Sequence, residues 1–163
     1  MSGPENRHKF SHGKEVQAML NEISIFAGLD ETQLSTLFNE LEEVSYEQGD
    51  VIFEQGSEPS HIYIIRTGQV KLVAGDANTS LELIEFEPGD CFGETSVIGI
   101  VPHAASAVAV DDTELLVLSR KALLDFYKTD LNLFSVLILN IAREACRRLS
   151  QTDEILLHYV LNQ

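Results

Sequence analysis

Between Glu42 and Leu118 the apolar residues alternate with polar ones, and glycine interrupts the pattern every few positions. No long helix can run through such a stretch, because the apolar period is two and glycine weakens helix interiors. Strands are expected at Val44–Tyr46, Val51–Glu54, Ile62–Arg66, Gln69–Ala74, Leu81–Phe86, Ala105–Val110 and Leu115–Leu118. Turns fall at Gln48-Gly49-Asp50, Gln55-Gly56, Thr67-Gly68, Gly75-Asp76 and Pro88-Gly89-Asp90, where glycine, proline and aspartate supply the bends. Many short strands at this spacing argue for a jelly roll or barrel.

The flanks are helical, so the expected class is mainly β with flanking helices (α+β). Val16, Met19, Leu20 and Ile23 recur at helical spacing, with Phe26 to Leu29 closing that helix near Gly28. Asp30 and Gln33 form a capping-box pattern before a helix whose Leu34, Leu37 and Leu41 share a face. After Ser119 a short helix over Arg120 to Tyr127 precedes a long one, capped by Asp130 and running to about Val160. The expected division is a polar mobile leader over 1–14, a β-roll with N-terminal helices over 15–128, and a long C-terminal helix over 129–163. His8 and His12 lie four apart in the leader, with nothing beside them to complete a metal site.

Within the last helix Ile138, Ala142, Ala145, Leu149, Thr152, Leu156 and Tyr159 are spaced alternately by four and three. That is the seam of a helix that pairs with another helix, and the small alanines permit close approach. Leu133, Phe134 and Leu137 are expected to pack on the roll, whereas Glu144, Arg147, Arg148 and Asp153 lie off the seam and can be solvated. A parallel homodimer is favoured over a face that only packs back on the roll, because the seam extends beyond the roll's reach.

The net charge of −15 over 163 residues repels DNA, RNA and anionic membrane, so no nucleic acid and no membrane are expected as partners. No apolar run has the length of a membrane span, and no signal-peptide pattern opens the chain. Cys91 and Cys146 are expected on core-facing positions as reduced thiols of a cytoplasmic protein.

The stretch from Asp90 to Val110 carries the chemistry. Gly93 lets backbone approach a ligand, Glu94 can accept hydrogen bonds from a diol, and a short helix from Thr95–Val97 would aim free amides at an anion. Phe92-Gly93-Glu94-Thr95-Ser96 followed by Pro102-His103-Ala104-Ala105-Ser106 resembles the phosphate-binding cassette of the cyclic nucleotide-binding domain family. Gly49-Asp50-Val51-Ile52-Phe53 with Gly56, Tyr63-Ile64-Ile65 and Gly68 resembles the family's second signature, and Ile25 to Leu29 its entry. The likeness runs from about Leu20 to Leu118, and implies a cyclic nucleotide-binding β-roll.

The resemblance implies a ligand site of Phe92, Gly93, Glu94, Thr95, Ser96, His103, Ala104 and Ala105. Glu94 would take the ribose hydroxyl, and the amides of Ser96 and Ala104 would face the cyclic phosphate. The family places arginine where this chain has His103. Exchanging a bidentate guanidinium for an imidazole costs about 1.5 to 3 kcal/mol. A charged His103, favoured by a nearby Glu94, would make binding strengthen as pH falls. Ala104 lacks the hydroxyl of cyclic-GMP-selective relatives, which favours cyclic AMP over another cyclic nucleotide. The last helix also resembles the catabolite activator's dimer helix through Arg147-Arg148-Leu149 and Thr152. Thr152 then either reaches the nucleotide base or sets the register of a dimer seam. Those relatives continue into a helix-turn-helix DNA-binding domain, a pattern not found in these 163 residues.

The expected function is a non-catalytic ligand-sensing regulatory module with an unknown downstream protein partner. The alternative is a degenerate domain that binds no cyclic nucleotide and serves as a dimeric interaction module, with Glu94 and His103 bonded to each other or to backbone. A jelly-roll metalloenzyme would need several histidines and a carboxylate on neighbouring strands; the β region has only His61 and His103.

Overall fold

The computed structural model describes residues 7–9, 20, 22–76 and 79–161. Nine strands among them form two antiparallel sheets. One holds β1 (Arg7–Lys9), β2 (Glu42–Tyr46), β9 (Thr113–Ser119), β4 (His61–Thr67) and β7 (Cys91–Phe92), in that order. The other holds β3 (Val51–Phe53), β8 (Ser106–Ala109), β5 (Val70–Gly75) and β6 (Ser80–Phe86). The helices are α1 (Glu31–Phe38), α2 (Glu94–Gly99), α3 (Arg120–Thr129) and α4 (Leu131–Leu161), with a 3-10 turn at Ser24–Phe26.

The alternation in β4 and β9 sorts side chains into two cores, since successive residues of a strand point to opposite faces. Tyr63, Ile65, Leu115 and Val117 face the second sheet and join Phe53, Phe86 and Phe92 inside the roll. Ile62, Ile64, Leu116 and Leu118 face the helices and join Ile25, Leu37, Leu123, Leu133 and Leu137. Both faces of this sheet are therefore buried, which is why its central strands are apolar throughout.

Local chemistry sets the helix boundaries. Asp30 accepts from Gln33 N at 2.8 Å while Gln33 Oε1 accepts from Asp30 N at 3.0 Å, the reciprocal cap read from the sequence. Ser119 accepts from Ala122 N at 3.0 Å at the start of α3, and Asp130 from Leu133 N at 3.0 Å at the start of α4. Gly68 has a φ of 87°, and an added Cβ would lie 2.6 Å from the Asp112 carbonyl oxygen, so this turn needs glycine.

Two features differ from expectation. Arg7–Lys9, inside the leader, pairs as β1 with Glu42–Val44, a strand too short and polar to show a pattern. Residues 24–26 form a single 3-10 turn where the close of a helix was expected; Val16, Met19 and His12 lie outside the described residues. The helix α4 has 31 residues, a rod of about 46 Å. Its first half buries Leu133, Leu137 and Ile141, and Asn140 donates to the carbonyls of Ile25 and Ala27 at 3.0 and 2.7 Å. From Leu149 onward every described residue is exposed.

Candidate ligand site

The cassette begins where β7 runs into α2. Gly93 caps α2 with a φ of 80°, and a Cβ there would meet Tyr63 Cδ2 at 3.0 Å and the His61 carbonyl oxygen at 3.2 Å. Glycine is thus required at this corner twice over, by handedness and by contact. The bend turns Glu94 inward to 1 % exposure.

Glu94 Oε1 accepts from Arg148 Nη1 at 2.6 Å, and Arg148 Nη2 also bonds the Cys91 carbonyl oxygen. The guanidinium lies 4.7 Å above the Phe86 ring and 3.4 Å from Glu144 Oε1, which Arg147 also engages. Among the described residues no group donates to Glu94 Oε2. Burial pushes the Glu94 carboxyl above its ordinary range, with Arg148 opposing that push. The Arg147 hydrogen bond holds Glu144 below its ordinary range.

The other end of the cassette is aromatic. His103 is 4 % exposed and stacks on Phe53, with ring centroids 3.7 Å apart and planes at 11°. Its backbone is fastened to the loop after β3: Gly56 N donates to the His103 carbonyl at 2.7 Å, and His103 N to the Ser57 carbonyl at 3.0 Å. Phe53 in turn lies 6.0 Å from Phe92, which stacks on Phe86 at 5.5 Å. Burial lowers the His103 pKa, so at neutral pH the ring is uncharged.

Among the described residues no three His, Cys, Asp or Glu are grouped to hold a metal ion, and no helix is long and apolar enough to cross a membrane. Residues 43–130 match the family model for the cyclic nucleotide-binding domain. The chain belongs to the cyclic nucleotide-binding domain family. It is 32 % identical over 112 residues to the cAMP-dependent protein kinase regulatory subunit of Dictyostelium discoideum, covering 66 % of this chain but 34 % of that protein. The Thermus thermophilus catabolite activator protein superposes with a TM-score of 0.73 at 30 % identity, over 84 % of this chain and 63 % of that one. The regulatory subunit of a cAMP-independent protein kinase A from Trypanosoma brucei, a triple mutant bound to cAMP, gives 0.68 at 27 % identity, over 80 % and 45 %. The chain therefore spans less than two thirds of each of these three relatives. The family's modules regulate rather than catalyse, and the β-roll is the expected one.

Within this cyclic nucleotide-binding domain, Phe92, Gly93, Glu94 and Ser96 come together at the start of α2, with Phe92, Glu94 and Ser96 buried. No backbone carbonyl among the described residues accepts from the amide of Ser96 or of Ala104. Thr95 and Ala104 are exposed, and Ala105 is buried. Thr152 is exposed, one turn beyond Arg148, and its hydroxyl donates to the Arg148 carbonyl at 3.0 Å.

Three expectations are corrected. Arg148 and Glu144 are not solvated: their side chains are 15 % and 8 % exposed, because Arg148 reaches from α4 to Glu94 and the Cys91 carbonyl and also pairs with Glu144. Cys146 is exposed rather than core-facing; Cys91 is buried, and burial raises its pKa. His103 is not the imidazolium partner of Glu94: among the described residues no hydrogen bond joins them, and the ring's burial disfavours charge. No local pattern could have tied Arg148 to Glu94, since 54 residues separate them in the sequence.

Proposed function

We propose that the chain is a ligand-sensing regulatory module that takes cyclic AMP weakly, with α4 passing occupancy to a partner protein in a cytoplasmic setting. The observation that carries this reading is Glu94 Oε2, buried and without a donor. A buried acceptor left unpaired is costly, and a ribose hydroxyl is a donor of the right kind. The free amides of Ser96 and Ala104 support a phosphate beside it. Phe92, Gly93, Thr95 and Ala105 would shape the corner, and Thr152, exposed one turn beyond Arg148, would be the contact to the base.

The phosphate would meet amides but no free guanidinium. Arg148 is already shared by Glu94, Glu144 and the Cys91 carbonyl. A neutral His103 supports a second reading, a domain without cyclic nucleotide that acts through α4; the Trypanosoma brucei relative belongs to a cAMP-independent protein kinase A, and one of the three substitutions in its cAMP-bound mutant introduces arginine. Titration calorimetry with cyclic AMP and cyclic GMP separates the two. Saturable heat with cyclic AMP is expected in the high micromolar to millimolar range, by analogy with the lost arginine. Absence of heat from either nucleotide at millimolar concentration refutes the first reading.

The exposed seam of α4, with Leu149, Leu156 and Tyr159 each more than three-fifths exposed, supports a parallel homodimer. Sedimentation of the natural chain beside Leu149→Glu tests it, a dimer becoming a monomer.

A further inference from the structure

The outer edge of the first sheet is closed by a basic strand laid on an acidic one. In β1 Lys9 lies opposite Glu42, His8 opposite Glu43 and Arg7 opposite Val44. All three residues of β1 are exposed, so it adds nothing to either core. Beneath it β2 would be the edge strand, since the order runs β1-β2-β9-β4-β7. An edge strand presents a row of unpaired amides and carbonyls, a template for another strand.

Residues directly opposite one another share a face. Arg7 and Lys9 therefore lie on the face of Glu42, Val44 and Tyr46, which is turned to the inside of the roll. Arg7 Nη1 is 3.3 Å from His61 Nε2 and 3.7 Å from Glu42 Oε2. A guanidinium only donates, so Nε2 accepts, and Nδ1–H is left to donate to Ser60 Oγ at 2.7 Å. Burial, and after it the Arg7 charge, push the His61 pKa down, which keeps the ring a neutral acceptor at pH 7. Tyr46 and Tyr63 are buried on the same face, and the Arg7 charge opposes the rise that burial imposes on both phenols. An arginine side chain thus has a pocket at the end of the roll, made of a carboxylate, a neutral imidazole and two tyrosines.

The two glutamates of the edge are not equivalent. Glu43 is already held by Arg66, which also reaches Glu114 at 3.8 Å. Among the described residues Glu42 has its ion pair with Arg7. A cation is needed on the face of Glu42, and none on the face of Glu43. Three exposed residues and a surface ion pair gain little against the entropy of ordering a strand. β1 is therefore held loosely enough to be exchanged for a segment of the same chemistry.

We propose that the outer edge of β2 is a docking site for an extended basic segment of a partner protein, and that Arg7–Lys9 occupies it in cis as a stand-in. The incoming segment adds to the sheet as a strand, places an arginine between Glu42 and His61, and carries a second cation two residues on. A net charge of −15 draws such a segment in. The edge lies beside the cassette, because the His61 carbonyl flanks Gly93, yet it uses none of the cassette's side chains.

The test is fluorescence anisotropy with a labelled synthetic peptide copying residues 4–12. It is titrated with the natural chain, with the double variant Arg7→Asp, Lys9→Asp, and with that variant carrying Glu42→Lys as well. None of the three positions belongs to either core, and the Glu42 side chain is 47 % exposed. A control peptide of equal charge carries backbone N-methyl groups on two successive residues, the histidine and the lysine. Successive amides point to opposite sides of a strand, so one blocked amide faces β2 in any register. The double variant, freed of its competing strand, is expected to bind the first peptide about tenfold or more tightly than the natural chain does. Glu42→Lys should remove at least tenfold of that affinity, and the methylated peptide should not bind. In hydrogen exchange, amides of Glu42–Val44 should exchange faster in the double variant than in the natural chain, and slow again with peptide bound. Equal affinity for the natural chain and the double variant overturns the proposal. So does equal binding of the methylated peptide, which would mean charge attraction without strand pairing, or no binding to the double variant at millimolar peptide.

Discussion

The two ends of the cassette solve opposite problems. At one end Glu94 is a buried carboxylate that needs donors, and a helix from the far end of the sequence supplies Arg148. At the other end His103 is a buried ring that needs none, and it lies flat on Phe53. One end is built on charge, the other on apolar contact, and the neighbouring rings of Phe53, Phe92 and Phe86 run from His103 toward Arg148. The hydroxyl recognition proposed at Glu94 therefore does not depend on a fixed charge at position 103. In this chain the buried cation of the site belongs to α4, and it is bound to a carboxylate rather than held in reserve.

If the charged end is the more tightly coupled one, breaking it should cost the most. Arg148→Ala leaves Glu94 and the Cys91 carbonyl without their donor, and is expected to lower stability by about 3 kcal/mol or more in urea denaturation. A loss under about 1 kcal/mol would show that the guanidinium is a surface group after all. Next comes Gly93→Ala, which forces a Cβ against Tyr63 in left-handed backbone, for about 1 to 3 kcal/mol by the same measurement.

The pH dependence separates the ends by sign. Burial raises Glu94 above its ordinary 4.5, so the folded chain keeps that proton longer than the unfolded one. Its contribution is complete below 4.5 and is lost as pH rises through the raised value. Burial lowers His103 below its ordinary 6.5, so its contribution is complete above 6.5 and is lost as pH falls through the lowered value. In denaturation followed across pH, Glu94→Gln should flatten the decline on the rising side. His103→Gln should flatten the smaller decline on the acid side. Equal slopes before and after either substitution would remove the cause assigned to that end.

The roll was legible because its evidence is local. Short apolar runs in β4 and β9, glycine at the turns and the Asp30/Gln33 cap all act within a few residues, and the structure contains them. β1 was not legible, since three polar residues have no period and depend on β2 for their pairing. At the site, Gly93 and Glu94 were readable as a local step. Arg148 was not, because 54 residues separate it from Glu94 and only the path of α4 brings them together. His103 was readable as a departure from the family pattern but not as a neutral ring, since its state depends on Phe53 beneath it. The residues expected on the α4 seam from Leu149 onward are exposed in the structure, which the spacing alone could not show.

The most direct test of a cassette with a neutral phosphate end is titration calorimetry with cyclic AMP on the natural chain and His103→Arg in parallel. A guanidinium at position 103 should tighten binding about ten- to a hundred-fold. Equal affinity in the two proteins would contradict the account, because His103 would then already be doing the work of a fixed positive charge.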